Sequence, residues 1–464
     1  MELAESAAMT TDAAEPVLLP PPAAGDPATR RERTGWYFYD WANSAFSTTV
    51  VTAFLGPYLT HVAEQAQDAD QNVSLLGLHF AAGSLFPYTT SLSVVLQVFL
   101  LPVVGALADR SHRKKQLLAL FAYLGAAATI GLVFLTGDRY ALGAALFLIA
   151  NLAFGGSVVV YNSFLPQISD ENERDAVSSR GWAFGYLGGG LLFLLNVVAV
   201  VVLGSSDDKL LDIARWSLVS AGVWWAVFTT FPLLWLRNRP ATGGEHRGNP
   251  LLDGFVQLGR TLRSLKAYPL TLFFLIAFLI YNDGIQTVIA MAGTYASGEL
   301  GFDSKVTMPV ILMVQFMAFG GAMLMGAIAK RVGAWKTVLG SLAIWAVIVI
   351  AAYFLPANKV LPFVILGAAI GIVLGGSQAL SRSLFSQLIP KGKEGEYFGL
   401  YEISDKGTSW LGPLLFGFVY DQTHSYRPAI VSLIVFFVFG FVALLAVPMR
   451  RAITAAGNTP PRLL

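Results

Sequence analysis

The sequence contains no cysteine, which excludes disulfides, thiolate metal sites and a cysteine nucleophile but does not reveal the redox compartment. Histidine is scarce: the five present form no metal-ligand spacing, so no metal is expected. Charge is scarce too. Only 13% of the residues are Asp, Glu, Lys or Arg, where a soluble chain carries about 25%. The net charge of +2 gives no reason to expect a nucleic-acid partner. No His-Glu-x-x-His, no nucleophile elbow and no paired His–Asp motif is present, so the residues do not suggest an enzyme or call for a cofactor. Apolar sequence is abundant instead. Of the 464 residues 55% are hydrophobic, a composition that suits lipid as the main partner.

Residues 1–33 are rich in Ala, Pro and Glu and end in Arg30, Arg31 and Arg33. They are expected to form a disordered cytoplasmic tail, with no signal-peptide core. Twelve apolar segments follow, near 35–60, 84–107, 117–136, 140–164, 181–203, 214–236, 269–294, 306–329, 336–355, 361–388, 397–420 and 427–448. Each approaches the ~20 residues that a helix needs to cross a bilayer, and backbone satisfaction in lipid demands helices. Arg and Lys collect in alternate loops, at Arg110 to Lys115, Arg174 and Arg180, Arg237 to Lys266, Lys330 to Lys336, and Arg382 to Lys393. The positive-inside bias therefore predicts both termini in the cytoplasm, in an inner or plasma membrane. Residues 237–268 are the longest cytoplasmic connection, with a basic amphipathic piece over 252–266. They split the chain into halves at 34–236 and 269–448, with a cytoplasmic tail at 449–464.

The halves repeat. Gly105-Ala-Leu-Ala-Asp109-Arg110 has a counterpart in Gly326-Ala-Ile-Ala-Lys330-Arg331. Gly155-Gly156-Ser157, with Ser163 and Gln167, has one in Gly375-Gly376-Ser377, with Ser383 and Gln387. Two matches in the same order at the same offset argue for duplication. The expected fold is thus an all-α membrane protein, twelve helices in two pseudo-symmetric six-helix bundles of the major facilitator type.

The 105–115 stretch resembles the signature loop of the major facilitator superfamily, Gly-x-x-x-Asp-Arg followed by basic residues. Tyr39-Asp40-Trp41-Ala42-Asn43-Ser44-Ala45-Phe46, Tyr281-Asn282-Asp283-Gly284-Ile-Gln286-Thr287, Tyr397-Phe398-Gly399-Leu-Tyr401 and Leu411-Gly412-Pro413-Leu-Leu-Phe416-Gly417 resemble the vacuole-effluxer family, the fungal autophagy-related amino-acid effluxers and their bacterial relatives. The resemblance covers nearly the whole chain after the first 33 residues. It implies transport, with amino-acid efflux in the fungal members and an open substrate in the bacterial ones. The second signature loop departs from the first, with Lys330 where the first has Asp109.

Polar residues inside the apolar segments are the candidate site. A charge near the middle of a spanning helix costs roughly 2.5–3.5 kcal/mol, so each needs a partner or water. Asp40 and Asn43 share one helix face. They read either as a polar strip on a central cavity, with Asp40 a proton or cation site, or as a first-turn carboxylate paired with Arg31 or Arg33. Trp36 and Trp41 fit an interfacial belt as well as a ligand platform. Asn282, Asp283 and Gln286 lie mid-helix, and Gly284 would let that helix unwind. Glu402, Asp405 and Lys406 form either a local ion pair or a set from which Lys406 meets Asp283 or Asp40 in one conformation. Tyr161 and Asn162, and Gln378, Ser381 and Arg382, sit at matching repeat positions; Arg382 would hold a substrate carboxylate or serve as an interface charge. For gating, Asp109 could accept from backbone N–H groups at the start of helix 11, as the superfamily resemblance implies. Arg110 could pair with Asp170 or Glu171, while Arg113, Lys114 and Lys115 read as orientation anchors. The glycine stripes 181/185/189 and 367/371/375 read as close helix packing.

The expected function is secondary active transport by alternating access. The substrate would be an amino acid or similar small polar metabolite, moved outward, with protons the candidate coupling ion. The alternatives are a drug or metabolite exporter of the same fold, which would want a more apolar pocket, and a non-transporting receptor or scaffold.

Overall fold

The computed structural model describes residues 27–68, 72–75, 77–82, 85–239, 263, 266–302, 304–406, 411–423 and 425–464. The chain begins as α1 (Pro27–Ala45), passes through a π-helical stretch, Phe46–Phe54, and resumes as α2 (Leu55–Gln65). Residues 27–33, expected in the disordered tail, are already helical in α1, held there by Arg33 bonded to Glu173 and by Glu32 bonded to Arg239. The π-helical stretch falls on a run of β-branched residues, Thr48-Thr49-Val50-Val51-Thr52. Within it the Thr52 hydroxyl donates to the carbonyl five residues back, Ser47 O, at 2.9 Å.

A short ribbon then interrupts the helices, against the all-α expectation. Strands β1 (Asn72–Leu75) and β2 (Leu78–Ala81) pair antiparallel, Leu75 opposite Leu78, around Gly77 at φ +79°. Gly supplies the positive φ that so tight a hairpin needs. Tyr140 Oη donates to Ser74 O and ties the ribbon to the bundle.

The remaining first-half helices are α3 (Leu85–Arg110), α4 (Lys114–Gly131), α5 (Tyr140–Asn162), α6 (Leu165–Ile168), α7 (Arg174–Leu203) and α8 (Asp207–Trp235). After residues 240–262 come α9 (Pro269–Gly298), α10 (Ser304–Val332), α11 (Ala334–Tyr353), α12 (Val360–Gln387), α13 (Glu394–Lys406), α14 (Leu411–Thr423), α15 (Tyr426–Ser432), α16 (Ile434–Ala446) and α17 (Met449–Ala455). The amphipathic piece expected at 252–266 lies almost wholly outside the described residues.

Ten spans among the described residues are long and apolar enough to cross a bilayer. They coincide with ten of the expected segments. The segment 35–60 is instead the helix interrupted by π-helical turns, and 397–420 is divided between α13 and α14. Large apolar side chains such as Phe99, Leu120, Val201, Val347, Ile365 and Phe439 are exposed, as lipid contacts require.

Buried apolar side chains fall into two clusters. One is drawn from Trp36 to Leu236, the other from Phe274 to Leu464. The second extends past the last span. Leu464 is buried, Asn458 Nδ2 donates to Gln387 O and Ile389 O at 2.8 and 2.7 Å, and the backbone N of Arg462 donates to Asn172 Oδ1. The 449–464 stretch is therefore folded against the basic end of the molecule. Between the clusters, α7 packs on α10 and α12, and α13 packs on α3 and α5.

Candidate functional site

The site grows from a glycine face. On α1, Trp36, Asp40 and Ser44 recur every fourth residue and so share one side. They face Gly181, Gly185 and Gly189 of α7, which the sequence marked as close packing. A Cβ at Gly181 would lie 2.5 Å from the Trp36 ring, 2.8 Å from Asp40 Oδ2 and 3.0 Å from Arg382 Nη2. Only glycine there lets an indole, a carboxylate and a guanidinium converge.

Arg382 comes from α12, in the other half, and is buried. Its Nη1 lies 3.2 Å and its Nη2 3.3 Å from Asp40 Oδ2. Nε donates to Ser178 Oγ at 3.0 Å, Nη2 to Ser178 O at 2.9 Å, and Nη1 to Asn162 Oδ1 at 3.4 Å. Three rings surround it, with centroids 4.8 Å (Trp36), 5.2 Å (Trp182) and 5.7 Å (Tyr161) from its Cζ. Tyr161 Oη donates to the same Asp40 oxygen at 2.7 Å, and Trp36 stacks on Tyr161 at 4.4 Å. Asn162 Nδ2 donates onward to Glu402 Oε1 of α13 at 2.9 Å. Asp40, Tyr161, Asn162, Arg382 and Glu402 thus form one network that crosses between halves.

Several expectations change here. Asp40 pairs with Arg382, not with Arg31 or Arg33; Arg33 is engaged by Glu173 and Ile168 O. Trp36 is fully buried, so it is no interfacial anchor, whereas Trp41 stacks on Trp224. Asn43 is buried, and no hydrogen bond joins it to the network among the described residues. Ser178 and Trp182, absent from the sequence candidates, complete the setting. Their i,i+4 spacing on the polar end of α7 was the available signal.

A second constellation lies nearer the basic end. Asp109 Oδ1 accepts from Gly395 N at 2.7 Å and Oδ2 from Glu396 N at 3.0 Å, so one carboxylate caps α13 across the halves. Lys114, read as a mere anchor, is buried with its Nζ 3.5 Å from Asp109 Oδ1. Arg110 is half-buried at the end of α3, and Asp170 accepts from the backbone N–H groups of Asn172 and Glu173. At Gly105 a Cβ would lie 2.1 Å from Gly395 O, a backbone-to-backbone approach. The repeat partner Gly326 likewise faces the other half, where a Cβ would lie 2.6 Å from Ser179 Oγ. Lys330, in place of an aspartate, is exposed.

The third group is centred on α9. Gln378 Nε2 donates to Asn282 Oδ1 at 2.8 Å, and Tyr281 Oη lies 2.6 Å from Ser381 Oγ. Asp283 is buried. Its Oδ2 accepts from Gly412 N at 2.7 Å, while Oδ1 has no hydrogen-bond partner among the described residues. Gln286 is half-buried one turn on. The helix does not unwind at Gly284; that glycine admits Phe436, whose Cβ would be 2.8 Å from an added methyl. The side chains of Asp405 and Lys406 lie outside the described residues, and with them the ion pair with Glu402 and the meeting with Asp283 or Asp40. Among the described residues no cluster of His, Asp and Glu could hold a metal ion.

Residues 28–457 match the family model described as vacuole effluxer Atg22 like. The chain is 31% identical over 422 residues to the MFS-type transporter YxiO of Bacillus subtilis, covering 90% of this chain and 95% of that protein. It is 28% identical to autophagy-related protein 22 of Coccidioides immitis, covering 90% and 85%. Among solved structures it superposes on the E. coli fucose:proton symporter FucP with TM-score 0.65 at 14% identity, over 90% of this chain and 97% of that one. The human organic anion transporter MFSD10 gives TM-score 0.61 at 16% identity, over 90% and 100%. At these identities the structural likeness concerns the fold.

Proposed function

The chain belongs to the Atg22-like vacuole effluxer family of major facilitator transporters, and on that premise we propose that it is a secondary active transporter that exports amino acids or similar small polar metabolites by alternating access. In this reading twelve spans form two six-helix halves in the cell membrane, with both termini in the cytoplasm. The halves rock about a polar seam and open it to one side at a time. The substrate would meet Asn282, Gln286 and Gln378 in that seam, and Asp283 would carry the coupling proton.

The observation that carries the reading is the buried Asp40–Arg382 pair, contributed by different halves. Two charges brought together inside an apolar protein, with Asp109 capping α13 just beyond them, are what a closed gate needs. Both contacts are polar and exchangeable, so water could replace them when the halves part. If the basic loops lie inside, as this reading has them, the closed side would face the cytoplasm. Reconstituted vesicles loaded with an amino-acid mixture test the proposal. Efflux of one or more of them above loaded protein-free vesicles, reduced in D40N, is expected. Equal retention by loaded vesicles with and without the protein under every imposed gradient would refute it.

A further inference from the structure

The groups that hold the Arg382 guanidinium, its hydrogen-bond acceptors and the three rings over it, come from the first half. Asp40 and Trp36 come from α1, Tyr161 and Asn162 from α5, Ser178 and Trp182 from α7, while the second half adds Tyr401 nearby and Ala379 O, which accepts from Ser178 Oγ at 2.7 Å. Among the described residues the guanidinium donates to Asp40 Oδ2, Ser178 O, Ser178 Oγ and Asn162 Oδ1. Three aromatic faces close the remaining sides. Acceptors plus ring faces make a cage for an organic cation.

We propose that this cage is the substrate's cation subsite, occupied in the closed state by Arg382 as a tethered stand-in, and that the transported compounds carry a protonated amine or a guanidinium. The inference rests on the alternating-access reading above, because the cage empties only if the halves separate at their basic end. Once Arg382 withdraws, Asp40 is left buried beside three ring faces without its cation. A diffusing cation that enters restores the lost pairing. Arg382 and the substrate then exclude one another. Substrate in the cage holds the basic end open until it moves deeper into the seam, and only afterwards can Arg382 return and seal the gate. Closure thereby reports that the cage has been vacated. The same competition lowers the apparent affinity of the protein population for a cation, since only the open fraction can bind.

The test uses the full chain in lipid nanodiscs. R382Q removes the stand-in and should respond to ethylguanidinium with a saturable rise in Tm of about 2–4 °C. The neutral isostere N-ethylurea should give none, and the response should vanish in D40N/R382Q. No rise, an equal rise with N-ethylurea, or a rise that survives loss of Asp40 overturns the proposal. If R382Q does not fold, the otherwise wild-type chain decides. The sequence has no native cysteine, so Ser179→Cys, at the buried meeting of α7 with Gly326, gives a background-free reporter of opening. Ethylguanidinium should raise its maleimide labelling rate several-fold, whereas acetate and N-ethylurea should not. A reporter that opens without cation preference undoes the cage alone. A reporter that stays unreactive in every condition undoes alternating access, and the cage with it.

Discussion

Asp40 and Arg382 stand 342 residues apart in the chain and 3.2 Å apart in space. Both are buried, so each neutralises a charge that the protein interior would otherwise penalise. Removing one partner strands the other, at a cost of about 3–5 kcal/mol. D40N and R382Q are each expected to lower the unfolding temperature of the purified protein. The double neutral variant D40N/R382Q should be less damaged than the two single effects added together. Strict additivity in such a cycle would mean that the pair contributes no coupling.

Asp109 acts on backbone rather than on a side chain of the other half. A carboxylate accepting two N–H groups at a helix start gains from both the bonds and the dipole, and hydrogen bonds to a charged group contribute about 1.5–3 kcal/mol each. D109N keeps the size but loses the charge and half the acceptor capacity. Its expected effect is a shift toward the form open at the basic end, on the order of tenfold in population for each 1.4 kcal/mol lost. The labelling rate of Ser179→Cys measures that shift. An unchanged rate would show that the cap does not hold the gate.

Most of the fold was legible because lipid imposes a strong pattern. Long uncharged runs separated by basic loops marked ten helices that are long and apolar enough to cross a bilayer. The two segments that differ do so for reasons that hydropathy does not record. Residues 35–60 are apolar enough, but the β-branched run Thr48–Thr52 takes up π-helical turns. The hairpin 72–81 is too short to weigh in a window tuned to spans. At the site, residue types were legible and partners were not. Asp40 pointed to a buried charge, yet nothing along the chain singled out Arg382 over Arg31 or Arg33 as its partner. Such a choice depends on which faces of α1, α7 and α12 meet. Lys114 was hidden in a run of basic residues, Arg113-Lys114-Lys115, that the sequence does not tell apart. Gly284 misled in the other direction, since a glycine beside a buried acid fits an unwound helix as well as a close aromatic contact.

Among the glycines of the described residues, Gly105 and Gly395 make the tightest approach between the halves. A Cβ on Gly105 would fall 2.1 Å from Gly395 O, and one on Gly395 would fall 2.4 Å from Gly105 O. Backbone atoms cannot swing aside as a side-chain tip can. G105A should therefore keep α3 and α13 from closing together, leaving folding of each half intact while slowing transport. G320A is the control, because nothing lies within 4 Å of a methyl there. Ser179→Cys should become more reactive in G105A and not in G320A. Equal labelling of the two would mean that the helices can seal the basic end at a larger separation.

Asp283 is expected to separate coupling from movement. Its Oδ2 holds Gly412 N, and an amide oxygen can still accept that single bond, though without the charge. D283N should therefore fold and still pass through the conformational cycle. What the amide cannot do is gain or lose a proton. A membrane pH gradient changes net transport only if protonation is linked to the cycle, and a group that does not titrate contributes no linkage. In vesicles carrying a known substrate, D283N should exchange labelled for unlabelled substrate at a rate close to wild type. Net transport driven by a pH gradient should fall to the level seen with no gradient. A gradient response equal to wild type would place the coupling proton elsewhere. Glu402, the carboxylate already tied to Asn162 and through it to Arg382, would then be the next group to test.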